Sequence, residues 1–554
     1  MVKLKRGLAS RWMVFGTLVS AAFVLGATCA AVGAAFGDTP AEIVPPPMGW
    51  GSWNSFSNLI DSQIVKTQAK AIVATGLRAA GYRYVLIDEG WWGGKRDAQG
   101  KIVVNPRRWP ALMPGQVAGN MANIPAYLHR LGLKAGIYTD AGPVGCGEVS
   151  PDIGPHEGNS GSLNHYNQDF LQFAKWGYQY VKVDWCGGYG LDLDPAVQYA
   201  QIAHAIRRAV RLTHHPLYFS LCEWGKSSPW TWAAGVGGIR ADMWRACGDI
   251  TAPIVAVPQE ASRRVSIKNI LGNFDHSMYP TGQHTGYYND LDMMIIGMPG
   301  MTLPLDRLHM SLWAISGAPM IVGADVTKLS QGALAVLLNR HAIAIDQDKL
   351  GVQCIDAANA GPGLQVWAKP MALPGQRAVV LLNRNPHPAI MELPFRRLGL
   401  IPADGASILN VWANRRVHVT AAAKFKVPAE NAILLIVDGS SAASHHYRPD
   451  TRAGVRGHFG HWLVVRFSHL HGVAHQSYIK IDYTNPSPHS VLARLQVNGQ
   501  DVTRVLFPST GITGTAQYVT LEVNLRVHGS NTIRISRRPW DGRIRFKQIR
   551  VAAW

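Results

Sequence analysis

The sequence predicts an α/β protein: a (β/α)8 barrel, then a small antiparallel β-sandwich, then a second C-terminal β-sandwich module. Three observations predict it. Before Asp346, short β-rich runs alternate with helical stretches, and eight such runs follow one another. After Ile345 only strand patterns remain, punctuated by Pro, Gly and Asn. The chain has 554 residues, 47% hydrophobic and 16% charged, which supports large cores and excludes global disorder.

Residues 1–37 read as a signal peptide for secretion or export to the periplasm. Lys3, Lys5, Arg6 and Arg11 form a basic start, residues 12–37 carry no charge, and small residues lead to an exit at Ala35-Phe36-Gly37. Uncleaved, that stretch is long enough to cross a bilayer and would leave the protein anchored.

The barrel is expected over residues 38–347. Its strand candidates are MGWGSW, YVLID (Tyr84–Asp88), KAGIYTD (Lys134–Asp140), YVKVD (Tyr180–Asp184), PLYFSL (Pro216–Leu221), ADMWR (Ala241–Arg245), DMMIIG (Asp292–Gly297) and PMIVGAD (Pro319–Asp325). Helical stretches such as AQIAHAIRRAV, apolar at helical spacing, stand between them. Residues 348–438 form the antiparallel sandwich, from LQVWAK, RAVVLLN, SILNVW and AILLIV. A Ser/Ala/Gly linker, 439–444, leads to the module at 445–554, with WLVVRF, YIKIDYTN, VLARLQVNG, YVTLEV, NTIRI and FKQIRV as its strands.

The net charge is +19, a balance that raises the question of nucleic acid. Its distribution answers against it. Residues 440–554 hold fifteen basic and five acidic side chains, the leader adds four positive charges, and no recognition motif accompanies either. Five cysteines follow the leader (Cys146, Cys186, Cys222, Cys247 and Cys354), an odd number with no CxxC pair. That excludes a disulfide-built scaffold and argues against structural zinc. No cofactor or metal is called for.

Strand ends are where barrel enzymes place their chemistry. Here they offer Asp88 with Glu89, Asp140, Asp184 and Asp249, together with Lys182 and Arg245. Tryptophans at 50, 53, 91, 92, 185, 224 and 244 stand near them. Paired carboxylates and aromatic platforms without a metal-ligand cluster are the requirements of glycoside hydrolysis. Each Asp taken alone can equally be a helix cap.

Seven motifs, PPPMGWGSWNSF, YVLIDEGWW, GLKAGIYTDAG, WGYQYVKVDWC, SLCEWG, WRACGDI and YYNDLDMMIIG, follow in the order and spacing of glycoside hydrolase family 27, which this chain resembles over about residues 45–437. The resemblance implies a retaining double displacement with Asp184 as nucleophile and Asp249 as acid/base. It implies that Asp184 stays ionised, helped by Lys182, and that Asp249 starts protonated. Trp50, Asp88, Lys182, Cys222, Trp224, Arg245 and Met293 match sugar-pocket positions. Tyr138 and Asp140 are either pocket supports or purely structural. Cys146 and Cys186 match a family disulfide. The family's usual Asp-Asp pair reads Asp88-Glu89 here, and the extra methylene of Glu89 points where C6 of galactose would lie. Terminal α-D-galactosyl groups and β-L-arabinopyranosyl groups, which lack C6, both remain as substrates. A non-catalytic carbohydrate-binding protein would lack one of the two aspartates, and both are present.

Residues 445–554 resemble the β-sandwich carbohydrate-binding modules of families 35 and 6. Where those carry a calcium-binding Leu-Asp pair the chain has Phe546-Lys547, so no calcium is expected there. The basic tail, with its nine histidines, suits an anionic polysaccharide or an envelope surface.

Overall fold

The computed structural model describes residues 44–554 except 147–159, 235–240, 254–260, 285, 421, 458–459, 473, 475, 488–489, 511–515, 539–542 and 553–554. The signal-peptide segment lies outside the described residues. No helix among the described residues is long and apolar enough to cross a membrane.

Eight parallel strands form the first sheet: β1 (Met48–Gly51), β2 (Tyr84–Ile87), β3 (Lys134–Asp140), β4 (Tyr180–Asp184), β5 (Tyr218–Leu221), β6 (Met243–Arg245), β7 (Tyr288–Asp290) and β8 (Met320–Val322). Their order is β7-β6-β5-β4-β3-β2-β1-β8. Met294, just past β7, bridges Val322 of β8 and closes the barrel. The expected seventh strand over 292–297 is therefore displaced. Asp292 and Gly297 both take left-handed backbones, so the apolar run between them is buried core with a single bridge rather than a strand. The paired strand is the aromatic YND just before it.

Strand alternation decides which residues face the lumen. On β4, Val181 and Val183 are buried on the outer side, while Tyr180, Lys182 and Asp184 point inward. Tyr180 stacks on Tyr218 at 5.6 Å, and Leu86, Met243, Tyr288 and Ile321 complete a plug in the lower lumen. Only the C-terminal ends of the strands are left to form a cavity. The helix Pro195–Thr213 illustrates the outer layer. Asp194 caps it by accepting from the Ala196 and Val197 N–H groups, Pro195 sits at its first turn, and Tyr199, Ile202, Ile206 and Ala209 line its buried face.

The second unit comprises β9 (Ile355–Gly361), β10 (Leu364–Pro370), β11 (Gln376–Asn383), β12 (Ala389–Glu392), β13 (Ala406–Asn410), β14 (Arg415–Val419), β15 (Lys424–Val427) and β16 (Asn431–Gly439). A six-stranded antiparallel sheet and the β12–β15 pair enclose its core. The tail adds β17 (His445–Tyr447), β18 (Thr451–Gly457), β19 (Gly460–Leu470), β20 (Gln476–Thr484), β21 (Val491–Val497), β22 (Gln500–Phe507), β23 (Gln517–Asn524), β24 (Asn531–Arg537) and β25 (Arg545–Ala552). Its sheets, β17-β25-β20-β23 and β18-β19-β24-β21-β22, pack face to face. Polar or short strands such as RRVHV and KFKV carry no apolar run to announce them in the sequence.

The 439–444 segment is tied down rather than free. Ser440 accepts from the Ile401 N–H at 2.9 Å, Ala442 donates to Gly399 at 2.8 Å, and Arg377 reaches Ser441 Oγ at 3.1 Å. The tail module docks on the barrel. The Tyr478 hydroxyl donates to the Gln353 carbonyl at 2.6 Å within a cluster including Leu350, Val352 and Ile355. The buried ring of His284 meets Thr503 Oγ1 at 2.9 Å. His284 precedes β7, so this contact lies at the end of the barrel opposite the strand C-termini.

Candidate active site

A cavity of about 200 Å³ opens at the C-terminal ends of the strands, lined among others by Trp53, Asp88, Glu89, Cys146, Lys182, Asp184, Trp224, Arg245, Asp249, Asp292 and Met293. That volume is below the range of drug-sized sites and suits one sugar ring. Cys222 borders a narrow extension beneath it, toward the lumen plug. Met293 packs its sulfur against Gly51, where a Cβ would lie only 2.6 Å away, so β1 must carry glycine at that point.

Trp50, expected in the pocket, is not there. The alternation of β1 turns it outward, its indole donating to the Ala324 carbonyl at 2.9 Å. Trp53, one turn further on, lines the cavity instead. Trp91, Trp92, Trp185 and Trp244 are likewise buried packing residues, and Trp224 is the other cavity tryptophan.

Two clusters of charge face each other. In the first, Lys182 Nζ lies 3.0 Å from Asp88 Oδ2 and 3.6 Å from Asp184 Oδ1. Asp88 is oriented by the Glu89 N–H, which donates to its Oδ1 at 2.9 Å, while its own N–H donates to Ser52 Oγ at 3.0 Å. Asp184 Oδ1 receives no hydrogen bond from the described residues. Burial pushes the Asp184 carboxyl up to about 6, Lys182 opposing and Asp88 reinforcing the rise. In the second cluster, buried Arg245 forks between Asp249 (2.8 Å) and Asp292 (3.0 Å). Trp224, held in a left-handed backbone, donates its indole N–H to Asp249 Oδ1 at 3.0 Å. The Asp249 side chain is 71% exposed at the mouth, against 7% for Asp184. Partial burial pushes its carboxyl up, but Arg245, with Lys182 beyond, outweighs that and holds it below the ordinary range. The resemblance implies a protonated Asp249, so Arg245 works against the expected starting state.

Asp292 was not singled out in the sequence although its neighbour Met293 was. Its signal was a carboxylate beyond a strand end, hidden inside an apolar run. Its oxygens accept the Ile250 and Met293 N–H groups at 2.7 Å each, so it fixes the loop carrying Asp249 as well as Arg245.

Cys146 and Cys186 form a disulfide that joins the loop after β3 to the turn after β4. A Cys146 sulfur–Asp184 Oδ2 contact of 3.4 Å sets this crosslink against the cavity floor; a disulfide sulfur has no proton to donate. Asp140 accepts the N–H groups of Gly142, Cys186 and Gly187 and holds the same two loops together. Asp140, Cys146 and Cys186 are close enough to suggest a metal site, but sulfurs bonded to each other are not thiolate ligands. Cys222, Cys247 and Cys354 are buried thiols. Burial pushes the Cys222 thiol well up, Asp184 adding to the rise, so it stays protonated.

Glu89 is buried beside the cavity, and its Oε1 lies against Gly145. A Cβ at Gly145 would stand 2.3 Å from that oxygen and 2.7 Å from the Trp92 ring. The glycine supplies the room taken by the extra methylene.

Comparison with known proteins gives a consistent result. Residues 45–348 match the family model described as alpha galactosidase A, and 361–437 match the alpha galactosidase C-terminal beta sandwich domain. Residues 470–545 match the CBM13 domain of alpha-galactosidases, a different module label from families 35 and 6. Alpha-galactosidase A of Cellvibrio japonicus is 38% identical over 340 residues, 61% of this chain and 76% of that one. The alpha-galactosidase of Oryza sativa subsp. japonica is 34% identical over 387 residues, 70% and 82% of the two chains. Among solved structures, alpha-galactosidase I from Mortierella vinacea aligns with a TM-score of 0.61 at 27% identity, covering 72% of this chain and 99% of that one. A β-L-arabinopyranosidase from Geobacillus stearothermophilus, in complex with arabinose, aligns at 0.59 and 19% identity over 72% and 98%, a likeness of fold.

Proposed function

This chain belongs to the alpha galactosidase A family, glycoside hydrolase family 27, and from that we propose that it is a retaining exo-α-galactosidase removing single terminal α-D-galactosyl groups from galactoside-containing oligosaccharides. The observation that carries the assignment of roles is the contrast between its two carboxylates. Asp184 is buried on the floor with an oxygen that accepts from no donor among the described residues, and Asp249 stands at the mouth. An undonated oxygen keeps its lone pair for the anomeric carbon, and a group at the mouth meets the departing oxygen and incoming water.

In the first step Asp184 bonds to the anomeric carbon, the bond to the leaving oxygen breaks, and the Asp249 proton passes to that oxygen. In the second, Asp249 takes a proton from water as the water displaces Asp184, so the configuration is retained. Positive charge develops on the sugar in both steps. The cavity's five carboxylates, against Lys182, Arg245 and Arg263, favour it. Lys182, Asp88 and Arg245 supply hydrogen-bonding groups for the ring hydroxyls. The lumen plug below supports exo action, since a chain cannot thread through. Released α-galactose, followed by NMR before it mutarotates, tests this; β-galactose as first product, or no hydrolysis of an aryl α-galactoside, counts against it.

Below about 6 the proton rests on Asp184 rather than on Asp249, and this sets the pH dependence. The competent form has Asp184 ionised and Asp249 protonated. With Asp249 held low and Asp184 raised to about 6, that form is a minor tautomer of the singly ionised pair, which prevails between the two values. The kcat/KM profile is expected to peak on the acid side and fall as pH rises through about 6. A plateau reaching pH 8 would contradict it.

Glu89 supports a second substrate, the β-L-arabinopyranoside, because a carboxylate intruding on C6 favours the pentose. Gly145 weighs toward galactose by letting Glu89 fold back. Gly145→Ala should push Glu89 into the cavity and lower kcat/KM for the aryl galactoside by about 10–200-fold, the range for one methylene of misfit, with a smaller loss for the arabinopyranoside. Equal losses for both would remove Glu89 from the control of specificity.

The disulfide supports an oxidising destination, secreted or periplasmic, reached through the leader. The tail's charge supports an anionic polysaccharide as the module's partner.

A further inference from the structure

The tail module meets the barrel with a carboxyl group that no described donor satisfies. Ile479, Ile481, Val519, Leu521 and Val523 fill the module's own core. Strand alternation therefore turns Tyr478 and Lys480 of β20, and Tyr518, Thr520 and Glu522 of β23, to the other side. The register sets Glu522 directly opposite Tyr478, whose hydroxyl donates to the Gln353 carbonyl. Glu522 is 1% exposed, and neither of its carboxyl oxygens has a hydrogen-bond partner among the described residues. The Thr520 hydroxyl, two residues along the same face, is buried and equally without a partner there. A carboxylate stripped of water needs donors or a cation in exchange, so this one is held as the neutral acid.

The charged groups around it act elsewhere. On β20, Lys480 stands opposite Thr520, and its ammonium lies 3.9 Å over the Tyr518 ring. Arg550 of β25, opposite Lys480, is paired with Asp482. On the barrel side the turn Pro280–Gly282 packs against β23, flanked by Tyr279 and by His284, which burial keeps neutral. Cys354, next to Gln353, is a buried thiol; Lys369 acts on it and Asp348 on Tyr518, neither on Glu522. Burial alone pushes the Glu522 carboxyl up to about 8.

We propose that docking of the tail module is a pH-operated latch, closed while Glu522 carries its proton and released when it ionises. The latch is independent of the substrate that the barrel takes. Released from the barrel, Glu522 regains water and its ordinary value of 4.5. Between 4.5 and about 8 the docked state therefore holds a proton that the released state gives up. Docking is strongest below this window and is lost as pH rises through it, by about tenfold per pH unit at most. The module keeps its own core when the latch opens, and residues 439–444 keep it tethered.

The test is iodoacetamide labelling of the full-length protein, read by peptide mass spectrometry at Cys354, beside the docking contact, and at Cys247, beyond β6. Both thiols are buried, so each is labelled only when the structure around it opens. The ratio of wild-type to Glu522→Gln rates at Cys354 should grow roughly 30-fold between pH 6.5 and 9, since the amide cannot ionise. Comparing the two proteins at each pH cancels the thiol's own titration. At Cys247 the ratio should stay constant. In the wild type alone, labelling of Cys354 should also gain on that of Cys247 over the same range. A flat ratio at Cys354 overturns the latch. So does a ratio at Cys247 that rises in step, which would tie Glu522 to the whole fold rather than to docking. Wild-type labelling that climbs in parallel at the two thiols overturns it whatever the variant does.

Discussion

Asp184→Asn is expected to lower turnover by 10⁴-fold or more, on the order of other enzymes that lose a covalent nucleophile, while leaving the fold intact. The fold should survive because Lys182 keeps its 3.0 Å partner Asp88, so no buried cation is stranded. An amide nitrogen or oxygen cannot form the glycosyl ester, and water has no room on the floor where Cys146 sulfur stands 3.4 Å from the carboxylate. Trimming further, to Asp184→Ala, should open space beside Lys182 for azide or formate. Azide would then attack directly and give a glycosyl azide of inverted configuration, a product the wild type cannot make. Kinetics on an aryl galactoside, with NMR of the azide product, check both arms. Turnover by the Asn variant within tenfold of wild type would remove Asp184 from the nucleophile's role.

The second large effect belongs to Asp249→Ala, and its size should depend on the substrate. General acid catalysis is worth roughly 10²–10⁴-fold and matters in proportion to the protonation the leaving oxygen requires. A raffinose-type oligosaccharide, with a poor leaving group, should lose that full range. A dinitrophenyl galactoside needs no proton to depart, so its first step should be nearly untouched and the glycosyl-enzyme should accumulate as a burst. Arg245 remains paired with Asp292 at 3.0 Å, so the site should not collapse. Equal losses on both substrates would make Asp249 a positioning group.

The strand ends were legible because chemistry and geometry share a two-residue rhythm there. Lys182 and Asp184 alternate with valines, and only one face of a barrel strand sees the cavity. The rhythm could not separate Trp50 from Trp53, because glycines on either side of Trp50 leave no apolar alternation to mark inside from outside. It also misplaced β7, where a left-handed Asp292 breaks a run whose composition alone reads as strand. Asp292 and Arg263 join the site through contacts between residues distant in the chain, and no local pattern carries that information. The docking of the tail was hidden for a related reason. Tyr478 and Glu522 face the barrel side from strands whose alternate residues fill the module's own core, so they read like any polar face of a sandwich.

His284 gives that docking a consequence for the acidity the protein withstands. Its ring is wholly buried against Thr503, and burial lowers its pKa to about 4 from the ordinary 6.5. Between those values the unfolded chain binds a proton that the folded one refuses. Stability therefore rises with pH across this window and is surrendered as pH falls through it, one proton's worth per molecule. Catalysis pulls the other way, since the singly ionised Asp184–Asp249 pair, which contains the competent form, is populated on the acid side. The working range is thus bounded from above by the chemistry at one end of the barrel and from below by a histidine at the other.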